Sequence, residues 1–370
     1  MTDVIIFTED PGAANYILDL PENLSAIGIS CIILADGPSK EYLKQRNINY
    51  LDVSNLSATS IIETYSPKLV LVGTSENKNS LGFELIIQAK NNNIVTASFI
   101  DMVVNASERF KGVSNDPLRY CPDWLLVPDI ITKNEYIKIG FNSNRVRVCG
   151  HPCYDRALRF SREWSNNEAN LKNELFINTR CNQKIIVFIS ESKDELNPVA
   201  SIYNDNYILR GRGKSKFRTH IILEEILDAI KQISPKPYLI VRLHPKNIIK
   251  EFSNYFNEVD MFHENSNPLP LLMKSDLVIG MSSMLLMEAA LIGAPTLSLL
   301  PVKSEANWLP NTKNGYTEVI TDRSLIKNRI EYFLDDIDSK GNNLEFGNMF
   351  APDSIEKVKC TIKKIINEEI

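Results

Sequence analysis

No apolar run in this chain approaches 18 residues, the length a membrane-spanning helix needs. The six cysteines are scattered and form no paired framework, which argues against a disulfide-stapled secreted scaffold. Positive charge is not in excess: 41 Lys and Arg stand against 46 Asp and Glu, a net charge of −5. That balance gives no global electrostatic case for nucleic acid as a partner. No fixed-period repeat and no low-complexity tract is present. Met1-Thr-Asp leads straight into an apolar segment, so no leader peptide is expected and the cytoplasm is the expected compartment. Peripheral association with the inner face of a membrane is compatible with all of this.

What is present is the composition of an ordinary soluble globular protein, 44% hydrophobic and 24% charged. At 370 residues, two domains are expected. Short apolar runs alternate with helical patterns. Val4–Thr8, Cys31–Ala35, Leu69–Gly73, Val95–Ile100, Trp124–Val127 and Val146–Cys149 read as strands of a first sheet. Most are bare of charge, as strands covered on both faces should be. Ala13–Leu20, Ser39–Arg46 and Phe83–Asn91 read as crossover helices between them. From Arg156 to Asn182 the sequence turns polar and Asn-rich, which suggests a connection between domains. A second set follows, with strands at Lys184–Ser190, Tyr238–Leu243, Leu277–Gly280 and Thr296–Leu300. Helices are expected at Thr219–Ile233, Ser283–Ile292, Ser324–Asp336 and Asp353–Asn367. The reading is α/β: two Rossmann-like domains, 1–165 and 183–349, with ligands at the carboxyl ends of the strands in a cleft. The last helix, within 350–370, carries an apolar stripe of Ile355, Val358, Ile362, Ile365 and Ile366. Asp353 or Ser354 is its expected cap.

The stretch Ser275–Pro301 carries the most information. An apolar strand is followed by a turn at Gly280, a Ser282–Ser283 pair, an apolar helix ended by Gly293, and a second apolar strand. Such a βαβ unit sets hydroxyls and unpaired N–H groups at a helix N-terminus, where an anion is favoured. Glu288 lies about 1.7 turns beyond Ser282 and is the only charge between Asp276 and Lys303. A phosphate at the turn and sugar hydroxyls at the carboxylate would together describe a nucleotide pocket.

Other constellations sit at expected strand ends. Thr8-Glu-Asp-Pro-Gly-Ala-Ala-Asn15 puts Glu9 and Asp10 after the first strand, with Gly12 permitting close backbone approach and Asn15 beyond it. Asp10 also fits a helix cap. Asp101 follows another strand and is placed to take a proton from a hydroxyl, with Asn105 and Arg109 at i+4 and i+8. An N-cap Asp with a polar helix face explains the same residues. In the second domain Arg242 and His244 alternate with apolar neighbours before Pro245, a pattern suited to neutralising phosphate. Ser190-Glu191-Ser192 offers two hydroxyls and a carboxylate at the end of the strand Lys184–Ser190. Arg210–Arg218 holds five cations in nine residues, read either as a grip on an anionic acceptor or membrane surface or as a solvated loop. Cys149-Gly-His151-Pro-Cys153 lacks a fourth metal partner, and Asp336-Ile-Asp338 fits a solvated helix end. No metal and no cofactor is expected.

Arg242-Leu-His-Pro245 together with Gly280-Met-Ser-Ser-Met-Leu-Leu-Met-Glu288 resembles the donor-site signatures of GT-B fold glycosyltransferases. The nearest groups pair an HP motif with a later SS motif: bacterial sialyl-, polysialyl- and Kdo-type transferases, which use CMP-sugars. The resemblance implies His244, Pro245, Ser282 and Ser283 as donor-phosphate ligands, with Arg242, Gly280, Glu288, Ser190 and Ser192 around them. Those groups place an acidic D/E-D/E-G motif in the first domain, where this chain has Glu9-Asp10-Pro-Gly12 and a separate Asp101. The base is therefore expected at Asp101, Asp10 or Glu9 from their strand-end positions, with Gly12, Asn15, Asn105 and Arg109 on the acceptor side. In that family the C-terminal helix commonly crosses back onto the first domain, which implies a hinge that closes the cleft. The expected reaction is inverting, metal-independent transfer of a sugar from a nucleotide donor, CMP-sugar favoured and UDP-sugar possible. The expected acceptor is a glycan or glycolipid of bacterial capsule or lipopolysaccharide. The Ser-to-Glu spacing is also similar to non-hydrolysing UDP-GlcNAc 2-epimerases. Those carry an H-R-R-E element where this chain reads Ser190-Glu-Ser-Lys-Asp-Glu195, which counts against epimerisation. A non-catalytic nucleotide-sugar-binding protein is the third reading.

Overall fold

The computed structural model describes residues 2–171, 183–193, 196–264, 266–313, 315–335 and 353–367. They divide into two compact units, Met1–Asp155 with Ala351–Ile370, and Arg156–Phe350.

The first unit contains β1 (Val4–Thr8), α1 (Pro11–Ile17), α2 (Leu20–Ser25), β2 (Cys31–Ala35), α3 (Ser39–Lys44), β3 (Leu51–Asp52), α4 (Ala58–Tyr65) and β4 (Leu69–Gly73). It continues with α5 (Leu81–Asn91), β5 (Val95–Phe99), β6 (Trp124–Val127), α6 (Ile130–Ile139) and β7 (Val146–Val148). The seven strands form one parallel sheet in the order β3-β2-β1-β4-β5-β6-β7. Successive side chains feed opposite faces: Val4 and Ile6 join one core, Ile5 and Phe7 another. Both faces are therefore apolar, which is why these strands read as unbroken hydrophobic runs.

Helix α7 (Pro152–Leu171) leads out of this unit. The polar stretch read as a connection between domains is thus helical as far as Leu171. Cys153, Ala157 and Trp164 are buried at i, i+4 and i+11, near whole turns, and supply the stripe that its polar composition hides.

The second unit comprises β8 (Ile185–Ile189), α8 (Arg218–Ile230), β9 (Tyr238–Arg242), β10 (Met261–His263), α9 (Leu269–Lys274), β11 (Leu277–Gly280) and α10 (Met284–Leu291). Then come β12 (Thr296–Leu299), α11 (Pro310–Lys313), β13 (Glu318–Ile320) and α12 (Arg323–Asp335). Its sheet is also parallel, in the order β10-β9-β8-β11-β12-β13. In both sheets the chain winds outward from the first strand and then returns to its other side. That places a topological switch point between β1 and β4, and another between β8 and β11, where open α/β sheets hold ligands.

The final helix, α13 (Ser354–Ile366), belongs to the first unit. Val358, Ile362 and Ile365 share a core with Val4, Leu20 and Leu24. Asp353 occupies its N-cap position with φ +68° and makes no side-chain cap bond. The orphan donor Ile355 N–H is instead accepted by Asp155 Oδ2 at 2.8 Å, a cap supplied by α7. Among the described residues no helix is long and apolar enough to cross a membrane.

Candidate active site

At the carboxyl edge of the first sheet, three carboxylates expected from the sequence take three different environments. Glu9 is buried; its Oε1 accepts from Asn77 Nδ2 at 2.6 Å and its Oε2 from Ser80 Oγ at 2.5 Å. It ties down the loop that follows β4. Asp10 stands at the N-cap position of α1 without capping it, and Oδ2 accepts from Glu76 N–H at 2.7 Å. The helix-cap reading therefore does not describe its side chain.

Asp101 is held on one oxygen. Oδ1 lies 3.1 Å from Arg109 Nη1 and accepts from Met102 N–H at 2.9 Å. Oδ2 lies over Gly12, where an added Cβ would come within 2.6 Å of it. The carboxylate thus reaches from the end of β5 to the start of α1, across the end of β4 and so at the switch point. Gly12 is required by this close approach, since any side chain there displaces the carboxylate.

Residues 101–109 form successive turns, with Asn105 at φ +58°, in place of the helical face considered from their spacing. The turns still bring Arg109 back to Asp101. Arg109 is buried and also donates to Val104 O at 2.9 Å and Thr74 Oγ1 at 2.7 Å. Burial disfavours its charge, but Asp101, with Glu76 and Asp10 nearby, outweighs that and raises its pKa. Asn15 Oδ1 accepts from Tyr42 OH at 3.0 Å, on α1.

In the second unit Gly280 ends β11, and Ser283 caps α10 by accepting from Leu285 N–H at 3.2 Å. The anion at this turn is internal. Glu191 Oε1, from the end of β8, accepts from Ser282 N–H at 2.6 Å and from Ser282 Oγ at 3.2 Å. Arg218 backs the pair: Nε lies 3.2 Å from Glu191 Oε2, Nη2 3.3 Å from Ser282 Oγ, and Nη1 2.6 Å from Glu305 Oε1. Glu288 is buried on α10.

His244 is half-buried at the end of β9. Its Nδ1 accepts from Lys246 N–H at 3.1 Å, so the neutral ring carries its proton on Nε2, a hydrogen-bond donor. Pro245 beside it is exposed. Arg242, expected beside His244 at a ligand, is buried with Nη1 3.1 Å from His263 Nδ1 and Nη2 donating to Ser266 O at 3.0 Å. The alternation along β9 is real, but a guanidinium at a strand's last residue is taken up by the neighbouring edge strand β10. Ser190 Oγ is shared among Arg242 O at 3.1 Å, Asn247 Oδ1 at 2.7 Å and His244 N–H at 3.0 Å, locking the ends of β8 and β9 together. Ser192 lines a cavity of about 150 Å³ with Glu191, Lys193, Arg218 and His220.

Glu191 was legible as a carboxylate after its strand, but Arg218 and Glu305 were not read as members of this cluster. Arg218 was visible only as the last cation of the run Arg210–Arg218. That run is not simply solvated: Arg212 forks onto Glu258 with two bonds of 2.8 Å. Nothing in sequence marked Glu305. His151 is buried, its ring tilted against Tyr16 at 4.7 Å, with Nδ1 accepting from Cys153 N–H. Among the described residues no three His, Cys, Asp or Glu side chains are grouped to hold a metal. Asp336 and Asp338 lie outside the described residues, as do Asp194 and Glu195.

Two parallel Rossmann-like sheets, each with polar groups gathered at its switch point, define an α/β protein of the GT-B class. The chain belongs to the family described as a protein of unknown function (DUF354), whose profile matches residues 114–341. No curated protein matches the sequence. In fold it is similar to UDP-GlcNAc 2-epimerase from Neisseria meningitidis bound to UDP-GlcNAc, at 16% identity and TM-score 0.68 over 98% of this chain and 100% of that one. It is similar also to the S. aureus MnaA–UDP complex, at 15% identity and TM-score 0.69 over 99% and 97%. A glycosyltransferase from Rickettsia africae aligns at 13% identity and TM-score 0.60 over 100% and 99%.

Proposed function

We propose that this protein is a nucleotide-sugar enzyme, and that it transfers the sugar to a hydroxyl acceptor with inversion. The observation that supports this reading is Asp101, one oxygen fixed by Arg109 and Met102 N–H and the other turned over Gly12 at the switch point. A carboxylate so oriented suits a general base that takes the proton of an attacking hydroxyl. In the second unit, the Ser282–Ser283 turn, Arg218 and the Nε2–H of His244 take the donor's phosphates. Their positive character stabilises the departing nucleotide, a role a metal plays in other enzymes. Arg242 and Ser190 position His244 from behind. The fold neighbours bound to UDP-GlcNAc and to UDP favour a uridine donor over the CMP-sugar suggested by the HP and SS signatures. The acceptor is a glycan or glycolipid of a bacterial surface polysaccharide, and the enzyme works in the cytoplasm or at the inner membrane face.

Epimerisation of a UDP-sugar is the second reading. Proteins described as UDP-GlcNAc 2-epimerases align over nearly the whole chain, and Asp10, Glu76 and Asp101 all lie close enough to Arg109 to raise its pKa, enough carboxylates for acid and base. One experiment separates the two: incubation with UDP-GlcNAc and CMP-sugars, with and without an acceptor mixture, followed by NMR. Acceptor-dependent release of nucleotide supports transfer. Isomerisation without acceptor assigns the epimerase, and an unaltered nucleotide sugar under every condition contradicts the enzymatic reading.

A further inference from the structure

Glu191 occupies the donors that a phosphate would use. It takes the Ser282 N–H and hydroxyl with one oxygen and Arg218 Nε with the other. A ligand phosphate at the same turn needs the same hydrogens, and two anions do not share them, because like charges at contact distance repel. Arg218, meanwhile, does not depend on Glu191 for its place. Glu305 holds Nη1 at 2.6 Å, is only 5% exposed, and its second oxygen is buried without a hydrogen-bond partner. One guanidinium thus serves two carboxylates, one anchored in the interior and one at the turn. The cavity of about 150 Å³ beside Glu191, with Lys193, Thr219 and His220 on its wall, gives the second carboxylate somewhere to go.

We propose that Glu191 is a resident anion displaced from the Ser282 turn by the ligand's phosphate, while Glu305 keeps Arg218 in position to receive it. This rests on the nucleotide-sugar reading above and adds a selection rule to it. The incoming group must outcompete a carboxylate already seated on charge-assisted bonds. A pyrophosphate, with two negative charges to spread over the turn and Arg218, does so better than the single charge of a phosphodiester. The exchange therefore favours nucleoside diphosphate sugars over CMP-sugars. Glu191 also keeps the turn satisfied when no ligand is bound, since its N–H would otherwise be a buried unpaired donor.

The test is calorimetric titration of UDP into the full-length wild type, Glu191→Gln and Glu191→Asp at one salt concentration. A true phosphate-site ligand residue would lose affinity when changed; a resident anion gives the opposite sign. Glu191→Gln removes the competing charge and is expected to bind UDP at least fivefold more tightly than wild type. Glu191→Asp keeps the charge for Arg218 but is too short to reach Ser282, so it should shift the same way and guards against misfolding of the neutral variant. Equal or weaker UDP binding by both variants overturns the displacement while leaving the nucleotide reading standing. Failure of UDP to bind wild type and both variants overturns the two together.

Discussion

Arg109 Nη1 lies 3.1 Å from Asp101 Oδ1, an ion pair closed by eight residues of turns and largely hidden from water at the edge of the first sheet. The pair orients the carboxylate. If Asp101 is the base, Asp101→Asn should lower turnover by about 10² or more with donor affinity little changed. Arg109→Lys retains charge but cannot reach Val104 O, Thr74 and Asp101 at once. We expect its kcat to fall about tenfold while KM for the donor holds. Near wild-type turnover in Asp101→Asn would move the role to Asp10.

Gly12→Ala tests the close approach. Alanine gains about 0.5–1 kcal/mol of helix propensity over glycine, while overpacking costs about 1–3 kcal/mol. The two partly cancel, so the variant should fold with only modest loss of stability. Turnover should nonetheless fall at least tenfold, because the added Cβ meets Asp101 Oδ2. Full activity in Gly12→Ala would show that the position of this oxygen does not matter.

Chelation addresses the phosphate side. With Arg218, His244 and a helix terminus supplying positive character, activity should survive EDTA. Abolition by chelator and recovery with Mg²⁺ or Mn²⁺ would contradict this and direct attention to Asp336 and Asp338.

A fourth expectation concerns acid. The two hydrogen bonds from Arg212, with a further one from Lys231, hold the Glu258 carboxyl at about 2. Its unfolded value is near 4.3. A depressed folded pKa contributes stability that is present above the unfolded value and lost as pH falls from there toward 2. Glu258→Gln should cost about 1 kcal/mol at pH 7 for a partly exposed pair, and progressively less below pH 4. Urea midpoints across pH 2–7 check this; parallel acid limbs for the two proteins would refute it.

Much of the fold was legible because doubly covered parallel strands are unbroken apolar runs: β1, β2, β4, β6 and β11 begin and end where the sequence places them. Three of the four edge strands were not, β7 being the exception. β3 has two residues, β10 and β13 three each, too short for any periodic signal, and they exist through register with a neighbour such as Met261 with Ile240. α4 and α6 passed unseen, the latter because ITKNEYIKI offers little contrast between its faces. In the site, Asp101, Asp10, Gly12, Ser282 and His244 were readable from their positions at strand ends. Arg218 and Glu305 were not, since their meaning lies in a pairing across 87 residues that no local pattern encodes.

The central claim is that the second unit binds a nucleotide, and a thermal-unfolding panel with UDP, CMP, GDP and dTDP on the wild-type chain tests it most directly. A ligand of the native state raises stability by about 2.7 kcal/mol at one hundred times its Kd. We predict a concentration-dependent rise in Tm with UDP, larger than with CMP. Unchanged melting with all four nucleotides at millimolar concentration would contradict the account.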